Sequence, residues 1–287
     1  MTPAHVTVIH LTDTHIRAAG DLVHDTIDTL DNLTRALDRI VGSRQRVDAI
    51  VLSGDLSDNG APEAYRRLRT VVEPAAAELG AHIIYAMGNH DDRTAFHTEL
   101  LGLDSGGRDL EAPHDAVHDI HGLRVIVLDS TTPGRHAGWL TNEQLTWLDE
   151  ELSRPSERGT LLVLHHPPIP SPVATVDYLR LQGPDRLEAV LAGSDVRMIL
   201  CGHSHLTSSG AVAGIPVWVG PALSYRVDPI AAAGSHRGVA GHGFSRIDVL
   251  DTTVVATAIE ATPAETVYDI PEQDMLARLH ALALQEG

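Results

Sequence analysis

A chain of 287 residues with 43% hydrophobic and 21% charged side chains is long enough for one large α/β domain or two small ones around a buried core. Its net charge of −18, with no run of Arg or Lys, argues against a nucleic-acid surface, which needs clustered cations facing phosphates. Aromatics at 3% predict an aliphatic core, and the single cysteine, Cys201, excludes an internal disulfide and suits a reducing compartment. In chain order, HVTVIHL (5–11) reads as a strand. TIDTLDNLTRALDRIVG (26–42) sets Ile27, Leu30, Leu33, Leu37 and Ile40 on one helical face. AIVLSG (49–54) is a second strand, and APEAYRRLRTVVEPAAAEL (61–79) a helix expected to kink or break near Pro74. Strands follow at 82–88, 123–130, 160–166, 196–202 and 215–220, with helices between them at 141–154, N-capped by Thr141, and at 183–194. The Gly- and Ala-rich 226–243 reads as a long mobile loop, before a last strand pair at 243–249 and 253–260. A terminal helix lies within PEQDMLARLHALALQEG, with an apolar face for the domain or a second subunit.

Strands alternating with helices predict an α/β fold, parallel in its first half and mixed later, in one domain over 1–261 with a tail over 262–287. The start, MTPAHVTVIHLTDTH, has no basic stretch leading into an apolar one, and no apolar run reaches about 18 residues. The expectation is a cytoplasmic protein without membrane or nucleic-acid partners.

Eighteen histidines are many for this length, and several sit with aspartates directly after predicted strands: TDTH (12–15), GDLSD (54–58), GNHDD (88–92), LHHPP (164–168) and GHSH (202–205). Each alone has an ordinary reading as a turn, a helix cap or a Pro-rich strand exit. Together they put Asp, His and Asn on five strand ends, the rim where open α/β sheets build sites. Carboxylate, imidazole and amide oxygen suit Fe, Mn, Zn or Co and need no thiolate. A metal would also supply the positive field that an acidic chain needs for a phosphate substrate.

The ordered set D-x-H, GDxxD, GNHD, a strand-terminal His and GHxH, spanning residues 13–205, resembles the calcineurin-like metallophosphoesterase superfamily. HLTDTH, GDLSDNG, MGNHDDR, LHHPPIP and GHSH are most similar to its bacterial, mycobacterial-type class III cyclic-nucleotide phosphodiesterases. The resemblance implies a sandwich of two mixed β-sheets flanked by helices, with a dimetal site at the strand C-terminal ends. Carried over residue by residue, it implies Asp13, His15, Asp55 and His205 around one ion and Asp55, Asn89, His165 and His203 around the other, with Asp55 bridging. His90 would be the general acid for the leaving oxygen, paired with Asp58, and Asp91 would fix its turn through backbone hydrogen bonds. The implied activity is in-line hydrolysis of 3′,5′-cAMP to 5′-AMP by a hydroxide between the ions. His136, Arg93 and Arg226 are candidate substrate contacts. His236 and His242 read equally well as surface histidines, His166 and Asp129 as structural neighbours of the site, and His10 as packed. Specificity would sit in loops 102–118, 131–140 and 226–243, which leaves open a promiscuous phosphodiesterase acting on 2′,3′-cyclic nucleotides, nucleotide pyrophosphates or glycerophosphodiesters. A non-catalytic scaffold or a nuclease fits less well, because all seven ligand positions and His90 are present and no basic stripe is. A homodimer is compatible with the resemblance.

Overall fold

A computed structural model describes residues 6–104, 106, 109–262 and 264–283. The first half contains β1 (Val6–Leu11), α1 (Thr29–Gly42), β2 (Ala49–Ser53), α2 (Pro62–Leu79), β3 (His82–Ala86) and α3 (Arg93–Ala95), which continues into a π-helical turn over Phe96–Leu100. Next come β4 (Ala116–Ile120), β5 (Leu123–Val127), α4 (Asn142–Leu152), β6 (Thr160–Val163), α5 (Ala174–Asp177) and α6 (Pro184–Leu191). The last stretch holds β7 (Val196–Cys201), β8 (Ser208–Val212), β9 (Ile215–Val219), β10 (Arg226–Val227), β11 (Gly238–Val239), β12 (Gly243–Val249), β13 (Val254–Glu260) and α7 (Glu272–Ala283). One sheet has the order β13-β12-β1-β2-β3 and the other β4-β5-β6-β7-β9-β8, with β10 and β11 forming a separate ribbon. The central strands β1–β3 and β5–β6–β7–β9 are parallel, and the antiparallel pairs lie toward the edges, so both sheets are mixed as expected.

The two-residue period of the strands decides how the layers stack. In β1 and β2, Val6, Val8, Ala49 and Val51 face the second sheet, while Ile9, Leu11, Ile50 and Leu52 face α1 and α2. In β6 and β7, Leu161, Val163, Met198 and Leu200 face the first sheet, while Leu162, Ile199 and Cys201 face α4 and α6. A strand covered on both sides must be apolar in both phases, and for that reason these runs read as unbroken Val, Ile and Leu. Each such side chain contributes about 1.5–3 kcal/mol by leaving water. The result is a sheet-on-sheet sandwich with a helical layer on each outer face. Its parallel strands deliver their carboxyl ends to one rim.

Three expectations need correction. α2 runs unbroken through Pro74. Pro74 and Thr70 are both exposed, so the carbonyl freed by the missing N–H faces water. The 226–243 segment is not simply a loop, because β10 and β11 pair within it and Asp228 N donates to Arg237 O at 2.8 Å. α1 begins at Thr29 rather than 26, because the Asp28 carboxylate accepts from Asp31 N and sets the cap there. Thr141 caps α4 as expected, in a reciprocal pair with Gln144. None of the described residues of α7 is buried. The last four positions of the predicted terminal helix, 284–287, lie outside the described residues, as do 1–5, 105, 107, 108 and 263. Among the described residues, no helix is long and apolar enough to cross a membrane.

Arg124 ties the second sheet to its helical layer. Its Nε donates to Thr160 Oγ1 (2.8 Å), one terminal nitrogen to Asp195 Oδ1 (2.7 Å), and the other to the carbonyls of Glu151 in the last turn of α4 and of Arg154 just beyond it. Arg124→Met is expected to destabilise the protein by about 3 kcal/mol, since Asp195 loses its cationic partner and two carbonyls lose their donor at once. Urea denaturation of the two proteins measures it.

Candidate metal centre

All seven candidate ligands sit within four residues of a strand end on one rim: Asp13 and His15 after β1, Asp55 after β2, Asn89 after β3, His165 after β6, and His203 and His205 after β7. Five of them, Asp13, His15, Asp55, His203 and His205, have φ between 44° and 68°, the left-handed region that non-glycine residues avoid at roughly 1–2 kcal/mol each. Backbone bonds hold them there. Asp13 N and His15 N donate to the carbonyls of Gly54 and Asp55, Ser224 N donates to Asp13 O, and Gly202 N donates to His165 O.

Six of the seven side chains fall into two groups, Asp13, His15 and His205 in one and Asp55, His165 and His203 in the other, and a third group of His15, Asp58 and His90 adjoins the first. Asp55 Oδ2 lies 3.2 Å from His165 Nε2 and 3.5 Å from His15 Nε2, so it faces both groups. The imidazole partners show what belongs between them. Nδ1–H of His15 donates to Asp58 Oδ1 (3.1 Å), that of His205 to Tyr225 O (2.9 Å), and that of His165 to Ser53 O (2.9 Å). These bonds leave the Nε2 atoms of His15, His165 and His205 directed inward, with His15 Nε2 and His205 Nε2 only 3.2 Å apart. His165 Nε2 and Asn89 Oδ1 are buried and make no hydrogen bond. Lone pairs turned toward one another, each imidazole oriented by a carbonyl or carboxylate on its far side, fit metal ions. Burial alone would lower His165 and His205, yet Asp55 lifts His165 to about 9 and Asp13 raises His205. Cations taking those places would displace the protons. Burial, reinforced by His165, lowers His203 to about 3 and keeps its ring neutral, the form that can ligate.

His90 stands beside the pair, its ring 4.8 Å from His15 and edge-on to it. Its partner is not the expected one. His90 Nδ1 meets the backbone carbonyl of Asp58 at 2.8 Å, while the Asp58 carboxylate goes to His15 Nδ1 and lies 3.5 Å from Arg17 Nε. Asp91 receives Gly88 N, Leu56 N, Ser57 N and the Tyr65 hydroxyl at 2.8–3.1 Å, and so fixes the turn as anticipated. Burial and the nearby Asp55 raise its carboxyl to about 6 against those donors. Gly88 lies so close that a Cβ there would overlap Asp55 N and Oδ1. Gly88→Ala is therefore expected to displace Asp55, and metal content measured by atomic emission should fall below one ion per chain.

A cavity of about 230 Å³ opens over the two groups, and His136, His236, Tyr225 and Val176 contribute to its wall. The Asn89 amide donates to His136 Nδ1 (3.2 Å), which turns Asn89 Oδ1 inward. Arg93 lines a second cavity behind Asn89 and His90 and bonds to Asp129, Glu111 O and Thr131. Arg226 pairs with Glu260 and packs on Gly241 outside the metal cavity, and His242 does not line it either. His166 uses both ring nitrogens, with Ser130 Oγ and His136 O, and has none left for a metal. His10 bonds to Ser53 Oγ in the interior, and Cys201 is buried beneath α4 and α6. Tyr225 escaped the sequence reading although it sits 4.3 Å from the His205 ring. The signal was available, since GPALSY (220–225) follows β9 as the other clusters follow their strands.

The profile of the "Calcineurin-like phosphoesterase" family matches residues 6–206. The chain is 43% identical over 277 residues to the "Probable cyclic nucleotide phosphodiesterase" of Rhodococcus erythropolis, covering 96% of this chain and 90% of that one. It is 43% identical over 261 residues to a cAMP/cGMP dual specificity phosphodiesterase of Mycobacterium tuberculosis, covering 91% and 81%. A dimetal phosphatase from Danio rerio shares the fold, with a TM-score of 0.63 at 15% identity over 90% of this chain and 97% of the other. With the profile covering every candidate ligand, and relatives matched over almost their whole length, the chain belongs to the calcineurin-like phosphoesterase family.

Proposed function

We propose that the protein is a dimetal phosphodiesterase whose substrate is a 3′,5′-cyclic nucleotide, cAMP giving 5′-AMP. The observation that carries this reading is the pair of Asp/His groups joined at Asp55, with Asn89 Oδ1 buried and unpartnered on the wall of the cavity over them and His90 alongside. Asp13, His15, Asp55 and His205 would hold one ion, and Asp55, Asn89, His165 and His203 the other. The donors are nitrogen and oxygen only, which favours Fe with Mn, Zn or Co. When bound, such ions polarise phosphoryl oxygens and make water a nucleophile near neutral pH.

The chain's own residues do the rest. Asp58 O holds the Nδ1–H of His90, so Nε2 is the atom left to deliver a proton to the departing O3′. Asp58 acts one step back, orienting His15 through its carboxylate and His90 through its carbonyl. His136 keeps the Asn89 amide turned so that oxygen, not nitrogen, faces inward. The two cyclic-nucleotide relatives support the substrate class. The catalytic unit in this reading is 1–261, with 262–287 outside it.

The test is hydrolysis of 3′,5′-cAMP, 2′,3′-cAMP, ADP-ribose and bis(p-nitrophenyl) phosphate by metal-stripped protein, with and without added Mn²⁺. Release of 5′-AMP restored by Mn²⁺ is the expected result. Turnover of the chromogenic diester with negligible 3′,5′-cAMP cleavage would move the substrate elsewhere, and no turnover of anything would overturn the enzyme reading.

A further inference from the structure

A second opening adjoins the metal cavity and shares Tyr225 and His236 with it. Its volume is about 440 Å³, larger than the metal cavity itself, and its walls come from two stretches distant in sequence. His24, Thr26 and Ile27 precede α1, and Gly238, Val239 and Ala240 belong to the β11 region. Among the described residues, no carboxylate, Arg or Lys side chain lines it. The ring of Tyr225 links the two spaces, with its centroid 4.3 Å from His205, 6.5 Å from His15 and 5.0 Å from His24, the last edge-on. Gly238 lies against one edge of the ring, where an added Cβ would stand 3.4 Å from Tyr225 Cδ2 and 3.5 Å from Cε2.

An aromatic face, aliphatic walls at Ile27 and Val239, and rim donors and acceptors at Thr26, His24 and His236 suit a flat heteroaromatic ring that is uncharged and hydrogen-bonds along its edge. That description fits a nucleobase better than a glycerol arm, which has neither a flat face to stack nor an apolar surface to bury. We propose that this cavity is the nucleobase subsite, in which Tyr225, flanked by His24, stacks the purine of a nucleotide whose phosphoester lies between the Asp/His groups. The proposal rests on the phosphodiesterase reading above and deepens it, because it makes the nucleoside, rather than the metal chemistry, the source of selectivity. A diester lacking a base would leave the cavity to water and gain nothing from Tyr225.

The test compares binding of 5′-AMP and ribose 5-phosphate, which differ only in the base, to Mn²⁺-loaded protein by titration calorimetry. A stacked base is expected to make AMP bind about 5- to 150-fold more tightly. Tyr225→Phe should keep that gap and Tyr225→Ala should close it. Since the Tyr225 ring also touches His205, Ile27→Trp provides an independent arm, filling the cavity from the wall that carries no candidate ligand. Ile27→Trp should close the gap while the ribose 5-phosphate affinity stays within about twofold. Equal binding of the two ligands by the wild type, or a gap that survives Ile27→Trp, overturns the subsite. Hydrolysis of bis(p-nitrophenyl) phosphate by the same samples separates the two readings. Turnover without an AMP preference sinks the subsite alone, whereas an AMP preference without any turnover sinks the reaction alone.

Discussion

Asp55→Asn is expected to lower kcat/KM by at least about 10³-fold and to reduce bound metal from two ions per chain to one or none. Asparagine keeps the shape of the side chain but loses the charge that faces both groups. Burial would push the Asp55 carboxyl up, and His165, His15 and His90 together hold it well below the usual carboxylate range, so it is anionic at neutral pH. Losing it removes the shared anion, and with it several kcal/mol of transition-state charge stabilisation, about a thousandfold in rate. Asp55 Oδ1 also accepts His90 N at 2.9 Å, a bond that asparagine oxygen can still accept, so the fold of the turn should persist. Metal analysis, circular dichroism and initial rates on one preparation separate these effects. Two ions retained together with near wild-type activity would end the bridging assignment.

His90→Ala should behave differently, keeping both ions and losing about 10²–10⁴-fold in kcat on 3′,5′-cAMP. The geometry supplies the reason. His90 Nδ1 is engaged by Asp58 O, and no other imidazole in the rim has a backbone carbonyl from the GDLSD loop as its partner. The defect should depend on the leaving group, because an alkoxide needs a proton on departure and p-nitrophenolate does not. A ratio of wild-type to variant rates that shrinks at least tenfold on bis(p-nitrophenyl) phosphate would identify proton delivery. An equal loss on both substrates, or a fall in bound metal, would instead make His90 a ligand, since it also stands near His15 and Asp58.

Much of this architecture was readable because strands covered on both sides admit little besides Val, Ile and Leu. β4 and β8 were missed for the converse reason. Both are outermost strands, and AVHDI and SSGAV carry polar or small residues where solvent replaces a second layer. The donors were legible one by one, as Asp, His and Asn set directly after apolar runs. Their orientation was not, because it is imposed by backbone carbonyls of Ser53, Asp58 and Tyr225, and a carbonyl leaves no mark in a sequence. The same limit explains the Asp58 correction. A side-chain pairing was inferred from two residue types, and the carbonyl of one of them took the place of its carboxylate.

The donors also divide by sheet. Asp13, His15, Asp55 and Asn89 extend from the five-stranded sheet, and His165, His203 and His205 from the six-stranded one. Each group of three or four therefore draws on both halves of the sandwich, and an ion held there would be a rivet between two sheets joined mainly by non-directional aliphatic contact and by a few hydrogen bonds such as Trp218 Nε1–H to Ser245 Oγ. Closing a loop from residue 13 to 205 removes freedom from the unfolded chain, and binding only the folded form adds stability in proportion to the logarithm of free metal. The melting temperature should then climb with Mn²⁺ concentration, and a chelator should loosen the sandwich at the rim before the opposite end, where Arg124 holds its own network.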